Sequence, residues 1–385
     1  MRRSLGPAAG ALGVYCMRIA VVNSGSATLK AGVAEVASGE ARILVRAEVA
    51  RTKEDVVAEM ALLLERLGPP LASAVACAHR FVHGGARHVA PEFLDDALER
   101  ELEALGRLAP LHNPVALACA KAARALAPGR PQIAVFDTAF HAGRAEESLR
   151  YALPWDLCDS LEIRRFGFHG LAHASLLRAL ARDQAVSERE VDAVTLQLGA
   201  GCSACAIRAG RSLETSMGWT PLEGLPMATR SGDVDPAVVL ALVRGGRSAD
   251  EVERILARES GLLGLAGSAD VRDVLGAEAR GDARARVALA LFARRIAATV
   301  GAYLTLLDGR GAVVFGGGIG ARSPEIRARV AAHLAAWDVA LDPERNAAGT
   351  PGRISPPGRR GVFLFATDEE TELARAAGEL LGDPE

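Results

Sequence analysis

Hydrophobic and polar positions form the same strand–turn–strand pattern in both halves of the chain. In each half an apolar run leads into a short polar stretch that contains glycine, and an alternating apolar run follows. This pattern predicts a β-hairpin. The two stretches are 19–36 and 193–208, and they align with Gly25 opposite Gly199. We therefore predict a duplicated fold with one glycine hairpin in each half.

Segments with helical periodicity separate the strands, so the pattern predicts an α/β protein. Three turn sequences predict helix starts: an Asp-Pro pair, a Ser-Pro pair and a capping box. These starts are Asp235-Pro236, Ser323-Pro324 and Thr367–Glu370, and the clearest helical segments are 97–105, 114–126 and 280–307. A length of 385 residues predicts two domains with a cleft between them.

Composition and charge narrow the classes of function. The chain has 45 basic and 47 acidic residues and a net charge of −2, which gives no electrostatic footprint for nucleic acid or an anionic membrane. No stretch reaches the roughly 18 uninterrupted apolar residues typical of a membrane helix. We expect a protein that binds small molecules, and we interpret residues 1–16, ahead of Met17, as a start-site extension.

The six cysteines are scattered and lack the paired spacing, with histidine, of a zinc site. Cys202 and Cys205 form a CxxC sequence, but in a strand an offset of three residues directs the two side chains to opposite faces. We therefore interpret them as core residues and predict a cytoplasmic location.

Glycine-rich turns are the candidates for phosphate binding. The chain has neither the P-loop pattern nor a complete GxGxxG. An apolar strand at 313–315 runs into the four glycines of 316–320 and then into the Ser-Pro helix start. Such a turn lets a nucleotide lie close to the backbone, although it is equally typical of a tight strand-to-helix turn.

Polar side chains in five short motifs carry the candidate chemistry. They are Arg80, His112, Asp137, His169 and Arg230. Acidic, imidazole and guanidinium groups without an activated serine or cysteine suit phosphoryl transfer, in which catalysis is mainly positioning and charge neutralisation. No GxSxG sequence occurs, which argues against a serine hydrolase.

These segments, in this order, closely resemble the acetate kinase family of the sugar kinase, heat-shock and actin superfamily. The most specific segments are HRFVHGG (79–85), LAPLHNP (108–114), AVFDTAFH (134–141), YALP (151–154), RRFGFHG (164–170), 214–236, SGLLGLAG (260–267) and TDEE (367–370). The resemblance implies two duplicated actin-like, ribonuclease H-like domains with a cleft, formed by 17–137 plus 370–385 and by 138–369. It also implies a homodimer that transfers phosphate reversibly between ATP and a short carboxylic acid, with Mg²⁺ or alternatively Mn²⁺.

The resemblance also implies residue roles. Asn23 and Glu369 are the implied metal-site residues. The implied catalytic residues are Arg80, His112, Asp137, His169 and Arg230. The implied acid pocket consists of Arg80, Val82, Leu111, Phe168 and Pro221, which argues for an acid of two or three carbons. The implied nucleotide-binding residues are Ser26, Thr28, Lys30, Gln197, Leu198, Gly199, Ala200, Gly201, Asp270, Val271, Arg272, Gly318, Ile319, Gly320, Ala321 and Arg322.

Departures from the family pattern concentrate on the nucleotide side. Ala200 replaces an asparagine, and Ala321-Arg322 replaces Glu-Asn. Losing one hydrogen bond to a charged group costs about 1.5–3 kcal/mol, and Arg322 offers a cation in compensation. Two alternatives therefore stay open beside an acetate kinase that also accepts propionate. One is an acyl kinase with another donor, such as pyrophosphate, or another acid, such as butyrate; the other is a nucleotide-binding protein without turnover.

Overall fold

The computed structural model describes residues 16–25, 28–51, 55–109 and 112–382, apart from the side chain of Arg107. Three sequence predictions lie outside the described residues: those for residues 1–15, Ser26 and Leu111. Within the described part, the chain forms two six-stranded sheets covered by helices.

The first sheet contains six strands in the order β3-β2-β1-β4-β6-β5. They are β1 (Met17–Ser24), β2 (Thr28–Ala37), β3 (Glu40–Ala50), β4 (Ala76–Phe81), β5 (Glu92–Phe93) and β6 (Gln132–Phe136). Strands β1, β2 and β3 form an antiparallel meander, β4 and β6 continue parallel to β1, and β5 is an antiparallel edge.

The second sheet repeats this topology strand for strand. Its strands are β7 (Ala193–Leu198), β8 (Cys202–Arg208), β9 (Arg211–Thr215), β10 (Ala312–Gly316), β11 (Gly352–Arg353) and β12 (Val362–Leu364), in the order β11-β12-β10-β7-β8-β9. β7, β8 and β9 form the meander, β10 and β12 run parallel to β7, and β11 is the antiparallel edge. The predicted duplication and the α/β class are confirmed.

Fifteen helices lie among the described residues. In the first half they are α1 (Val56–Leu67), α2 (Asp96–Ala104), α3 (Asn113–Leu126), α4 (Glu146–Leu149), α5 (Trp155–Ser160) and α6 (Gly170–Gln184). In the second half they are α7 (Pro236–Arg244), α8 (Ala249–Arg258), α9 (Gly261–Ala266), α10 (Val271–Ala279), α11 (Ala283–Leu306), α12 (Gly317–Arg322), α13 (Pro324–Ala332), α14 (Pro343–Ala348) and α15 (Glu369–Leu381). The three helices predicted from periodicity correspond to α2, α3 and α11.

Two of the three predicted helix starts are confirmed. The side chain of Asp235 accepts a hydrogen bond from the backbone N–H of Ala237, and the hydroxyl of Ser323 accepts one from Ile326. The capping box at Thr367 is wrong, because Asp368 is the N-cap of α15 and accepts from the backbone N–H of Thr371. The carboxylate of Asp368, one residue after Thr367, accepts from a free backbone N–H of the first turn instead, so the helix begins one residue later than predicted.

The core lies on both faces of each sheet. Helix α11 is long and apolar enough to cross a membrane by length and composition, but 56% of its most apolar window is buried inside the protein. Cys202 and Cys205 are both fully buried and belong to core clusters on opposite faces of the second sheet. Their predicted placement is therefore confirmed.

The last helix returns to the first half of the chain. Helix α15 packs on β1, β2, β3 and β4, and Leu373 and Ala377 are buried with Ile19 and Val21. This packing brings the N-terminal end of α15 to the edge of the first sheet where its parallel strands end. The domain boundaries at 137/138 and 369/370 stay a prediction.

Candidate active site

Three polar side chains meet at the carboxyl ends of the parallel strands of the first sheet. Asn23 lies at the end of β1, Arg80 near the end of β4, and Asp137 directly after β6. Parallel neighbours end at the same sheet edge, so the topology brings these residues together. Glu369, the first residue of α15, joins them.

Arg80 is at the centre of this group. Its Nε lies 3.1 Å from both carboxylate oxygens of Asp137, and its Nη2 donates to Oδ2 at 2.6 Å. Its Nη1 donates to Asn23 Oδ1 at 3.0 Å and to Glu369 Oε2 at 3.1 Å. A planar guanidinium thus fixes two carboxylates and one amide in a single geometry.

Burial and charge shift the titration of these groups in different directions. Burial lowers the pKa of Arg80, but Asp137 and Glu369 outweigh this effect and hold it above its ordinary value. Burial raises the pKa of Asp137, which is fully buried, although Arg80 opposes the rise. Burial also opposes ionisation of Glu369, yet Arg80, His169 and other neighbours hold its pKa below the ordinary value.

The oxygen atoms around Asn23 are the candidates for a metal site. Asn23 Nδ2 donates to Glu369 at 2.8 Å and to Glu370 at 3.1 Å. Among the described residues no group of three or more His, Cys, Asp and Glu side chains forms a ready metal cluster. The candidate ligand atoms, on Asn23, Glu369 and Glu370, are nevertheless all oxygens. A hard divalent cation commonly takes one or two carboxylates, with water and phosphate completing its shell.

His169 is presented from the second half of the chain by the start of α6. As the N-cap it adopts a left-handed conformation with φ of 58°, which is uncommon for a residue other than glycine. The next residue, Gly170, donates its N–H to the carbonyl of Asp137 at 3.0 Å, and a Cβ there would lie 2.1 Å from that carbonyl. Glycine at 170 therefore lets the His169 turn pack directly on the end of β6.

His169 and Arg230 converge beside Gly201. A Cβ on Gly201 would lie 3.2 Å from His169 Nε2 and 3.7 Å from Arg230 Nη1. Arg230 donates to the carbonyl of Pro221 at 3.1 Å, and no carboxylate within the described ranges forms an ion pair with it. Burial lowers its pKa. A half-buried guanidinium that has no described carboxylate partner, next to bare backbone, fits an anionic ligand.

His112 lies at the start of α3, close to the same cations. Burial, followed by the charges of Arg230, Arg80 and Arg51, lowers the pKa of His112 to about 4. Burial, followed by Arg80, lowers the pKa of His169 to about 3. Both imidazoles are therefore neutral at pH 7, and any hydrogen bond they donate there comes from a neutral group.

Apart from Arg80, the described members of the predicted acid pocket are the apolar residues Val82, Phe168 and Pro221. Val82 and Phe168 are buried in one core cluster together with Met217 and Met227. Pro221 is half-buried, and its carbonyl holds Arg230. The apolar wall and the guanidinium of Arg230 are thus adjacent.

The first hairpin brings a lysine towards the carboxylate cluster. Lys30 pairs with Asn23 across β1 and β2, and its charge contributes to the lowered pKa of Glu369. The hairpin turn closes with the N–H of Gly25 donating to the carbonyl of Thr28 at 2.9 Å.

The second hairpin faces the glycine helix α12. A Cβ on Gly199 would lie 3.9 Å from the backbone nitrogen of Gly318, and one on Gly317 would lie 2.4 Å from the carbonyl of Leu198. The 199–201 turn is closed by the N–H of Gly199, which donates to the carbonyl of Gly201 at 3.0 Å. Ala200 is exposed, and the Oε1 of Gln197 is buried and has no hydrogen-bond partner among the described residues.

The glycine stretch differs from the predicted strand-to-helix turn, because residues 317–322 are themselves the short helix α12. Its last turn is held by Arg327, which is fully buried and donates to the carbonyls of Gly320 and Ala321 at 2.8 and 3.0 Å. Arg322 lies over Gly318, with its Nη2 2.9 Å from the position of a Cβ. Ile319 and Ala321 pack against the core cluster on one face of the second sheet.

The remaining predicted nucleotide-binding residues lie at the start of α10; they are Asp270, Val271 and Arg272. Asp270 caps α10 and pairs with the guanidinium of Arg272 at 2.5 Å. Val271 is buried in the core cluster that Ile319 and Ala321 also contact. Within the described ranges no hydrogen bond or ion pair joins Asp270 or Arg272 to the other predicted nucleotide residues.

Several residues at the site were missed by sequence reasoning. Ser203, His173 and Thr195 form a buried chain behind His169, Glu370 contacts Asn23, and Arg51 acts on His112. One signal was present: His169 and His173 are four residues apart, which puts them on one face of a helix. Asn113 was also missed; it holds the backbone of His83 through two hydrogen bonds.

Comparison with known proteins agrees with this geometry. The model of the acetokinase family matches residues 33–375. The chain belongs to this family. An acetate kinase of Micrococcus luteus is 42% identical over 385 aligned residues, covering 94% of this chain and 99% of the relative. An acetate kinase of Leifsonia xyli is also 42% identical, covering 93% and 98%.

Solved structures of acetokinase relatives share the fold over nearly the whole chain. A propionate kinase from Francisella tularensis is 30% identical with a TM-score of 0.85, covering 94% of this chain and 98% of that structure. An acetate kinase from Porphyromonas gingivalis is 30% identical with a TM-score of 0.84, covering 95% and 100%. The resemblance inferred from the motifs is confirmed.

Proposed function

We propose that this protein is an acetate kinase that catalyses reversible phosphoryl transfer between ATP and acetate, giving acetyl phosphate and ADP, with propionate as a second acid. One observation carries the proposal. A continuous path begins at two hydrogen-bond donors, His169 and Arg230, and continues along the bare backbone of Gly201, Gly199 and Gly318. A phosphate chain placed along this path extends from the acid pocket to α12.

The arrangement suits direct transfer. A carboxylate oxygen of the acid attacks the terminal phosphorus, and the bond from that phosphorus to the oxygen shared with ADP breaks. Arg230 and His169 converge where the transferred group would lie, so they are placed to bind its oxygens. Arg80 would contribute the second positive charge while Asp137 and Glu369 fix its orientation.

The size of the pocket wall supports a short acid. Val82 and Phe168 belong to a closely packed core cluster, and each extra methylene that must displace packed side chains weakens binding. A two-carbon acid presents one methyl group to this wall, and a three-carbon acid adds one methylene.

We further propose that Asn23 and Glu369 hold Mg²⁺, with Mn²⁺ as an alternative, and that Asn23 acts through water. When bound, the ion would neutralise charge on the phosphate oxygens of the nucleotide. Lys30 and Thr28, in the first hairpin, are then available for phosphate contacts. The protein supplies few ligands itself, which matches the requirement that phosphate complete the shell.

The experiment is trapping of acyl phosphate with hydroxylamine. Acetate, propionate and butyrate are each tested with ATP or pyrophosphate, with and without Mg²⁺, beside Arg230→Ala. We expect product with acetate, ATP and Mg²⁺, and loss of about 100-fold or more in the variant, because one lost charge-assisted contact to the reacting group costs several kcal/mol. Product with pyrophosphate alone would indicate a changed donor site. ATP binding without product from any pair would favour a nucleotide-binding protein.

We also propose a cytoplasmic homodimer. Helix α7 is apolar, and none of its residues is buried in the protomer; Val238, Leu240 and Val243 are 48%, 51% and 45% exposed. Burying such a face against a second copy removes apolar area from water. Light scattering should give twice the chain mass, and Leu240→Glu should give monomers. Val57→Glu, at an equally exposed valine of α1, should leave the dimer intact; dimers in both variants would refute this interface.

A further inference from the structure

Behind His169 lies a chain of hydrogen-bonding side chains that reaches through the core of the second sheet. His169 Nδ1 is 2.9 Å from the hydroxyl of Ser203, and that hydroxyl is 2.8 Å from His173 Nε2. His173 Nδ1 is 2.8 Å from the hydroxyl of Thr195. The chain ends at the carbonyl of Cys205, 3.5 Å from that hydroxyl.

The three supporting residues are closed off from solvent. Ser203, His173 and Thr195 are each fully buried. Ser203 and Thr195 are held by the antiparallel pairing of β7 and β8, and His173 lies one turn after His169 on α6. A buried polar chain must satisfy its members internally, so each hydroxyl proton is committed to one neighbour.

Two polarities satisfy the short contacts. In the first, Thr195 donates to Cys205, His173 donates to Thr195, Ser203 donates to His173, and His169 donates from Nδ1 to Ser203. This polarity leaves a lone pair on His169 Nε2. In the second, Thr195 donates to His173, His173 donates from Nε2 to Ser203, and Ser203 donates to His169 Nδ1. It leaves an N–H on His169 Nε2. The second polarity gives up only the long contact to Cys205, which is the weakest bond of the chain.

The surroundings of His169, at one end of this series of hydrogen bonds, favour the second polarity. His169 Nε2 and Arg230 Nη1 lie on the same side of Gly201. An anion placed there accepts hydrogen bonds, and an imidazole lone pair would repel it. This step rests on the proposed function, in which phosphate oxygens occupy that position.

We propose that Ser203, His173 and Thr195 are positioning residues that hold His169 in the neutral tautomer protonated at Nε2. The imidazole then enters the reaction as an oriented, uncharged donor. Ser203 is the necessary link, because its single hydroxyl proton accounts for the lone pair on His169 Nδ1.

The direct test is nitrogen NMR of the full-length protein with ¹⁵N-labelled histidine, without ligands at pH 7.5, where the two neutral tautomers give distinct ring signals. His169 is assigned by comparison with His169→Gln. We expect the Nε2-protonated form in the wild type and a mixture of tautomers in Ser203→Ala. Finding His169 protonated at Nδ1, or at both nitrogens, in the wild type overturns the proposal.

Kinetics supply the second readout. We expect Ser203→Ala to lower kcat by on the order of tenfold, the scale found when an orienting partner of a functional histidine is removed, while both KM values change by less than about threefold. Thr195→Val keeps the shape of the side chain and should show a smaller loss in kcat, which provides the test if Ser203→Ala does not fold.

The matched control is Ser212→Ala. Ser212 is also buried and lies 2.8 Å from a histidine, His141, but this contact does not end at His169. In Ser212→Ala we expect the tautomer signal of His169 and the kcat to match those of the wild type. An unchanged kcat and tautomer in Ser203→Ala overturn the proposal. The tautomer is read in the free enzyme, so a wild type that shows the expected tautomer but forms no acyl phosphate refutes the proposed function alone.

Discussion

Arg322 departs from the family pattern, and the structure shows where its side chain lies. Its guanidinium lies over Gly318, beside the path that we propose for the phosphate chain, and none of the described carboxylates forms an ion pair with it. A free cation in this place can bind a phosphate oxygen that an amide would otherwise contact. This position supports the hypothesis that Arg322 compensates for Ala200 and Ala321.

We expect Arg322→Ala to raise KM for ATP by about tenfold or more, since a charge-assisted hydrogen bond contributes about 1.5–3 kcal/mol. KM for acetate should change little, because the acid pocket that we propose lies at the other end of the glycine path. Steady-state kinetics at saturating co-substrate measure both values. The control is Arg310→Ala, an exposed arginine at the opposite end of β10. An unchanged KM for ATP in Arg322→Ala would refute the compensation.

Single residues differed in how well the sequence predicted them. Arg80, Asp137 and Asn23 stand at or near the ends of apolar strands, and the parallel topology brings such positions together. Ser203 and Thr195 stand inside strands, where a small hydroxyl side chain is as compatible with the core as with a site. Only the pairing of β7 with β8 and the approach of α6 show that they connect to His169.

At the scale of elements, the turn between β7 and β8 joins the two parts of the site. Gly201 has an ordinary backbone conformation, so alanine is compatible with its φ, but the added methyl group would lie 3.1 Å from His169 Cε1 and 3.7 Å from Arg230 Nη1. The methyl would occupy the position that we assign to the transferred phosphate.

We therefore expect Gly201→Ala to fold and to lose about 100-fold or more in kcat/KM, because displacement of a bound group by about 1 Å costs this much. Urea unfolding should stay within about 1 kcal/mol of the wild type, in the usual range for a tolerated substitution. Gly143→Ala is the control, since a Cβ there meets no described atom within 4 Å. Full activity in Gly201→Ala would exclude phosphate from this position.

Element boundaries show where local signals compete. At the start of α15 two capping residues are adjacent, and the sequence alone does not show which one takes the cap; the structure selects Asp368. The glycines of 316–320 predicted a turn, but α12 forms because Gly317 takes a left-handed φ of 73° against Leu198 and Arg327 caps the last carbonyls. Both outcomes depend on tertiary contacts.

At the scale of the whole molecule, the duplication extends further than the hairpins indicated. Alignment of Gly25 with Gly199 predicted one shared turn, whereas the two sheets share every neighbour relation and strand direction. The edge strands β5 and β11 have only two residues each, too few for a periodic pattern. Sequence periodicity therefore predicted the class and the two hairpins, but not the third strand of each meander or the complete sheets.

The same architecture lowers the pKa of histidines in both halves of the chain. Burial lowers the pKa of His79 and His112 to about 4 and of His141 and His169 to about 3. In the unfolded chain a histidine titrates near about 6.5. Below that pH the unfolded state binds protons that the folded state does not, so the free energy of unfolding falls as the pH falls from about 6.5 towards 4.

His79 is the suitable residue for testing this effect, because it lies in β4 and its buried Nδ1 has no hydrogen-bond partner in the part of the chain that the structure describes. Each such histidine costs about 1.4 kcal/mol per pH unit in this window. We expect the loss in unfolding free energy between pH 7.5 and pH 5 to be smaller by about 2 kcal/mol in His79→Leu than in the wild type. Urea titrations at the two pH values measure the difference, and His333→Leu, at an exposed histidine, should behave as the wild type. Because the comparison uses the change with pH, any constant cost of the substitution cancels, and an equal loss in His79→Leu would show that His79 accepts a proton in the folded protein.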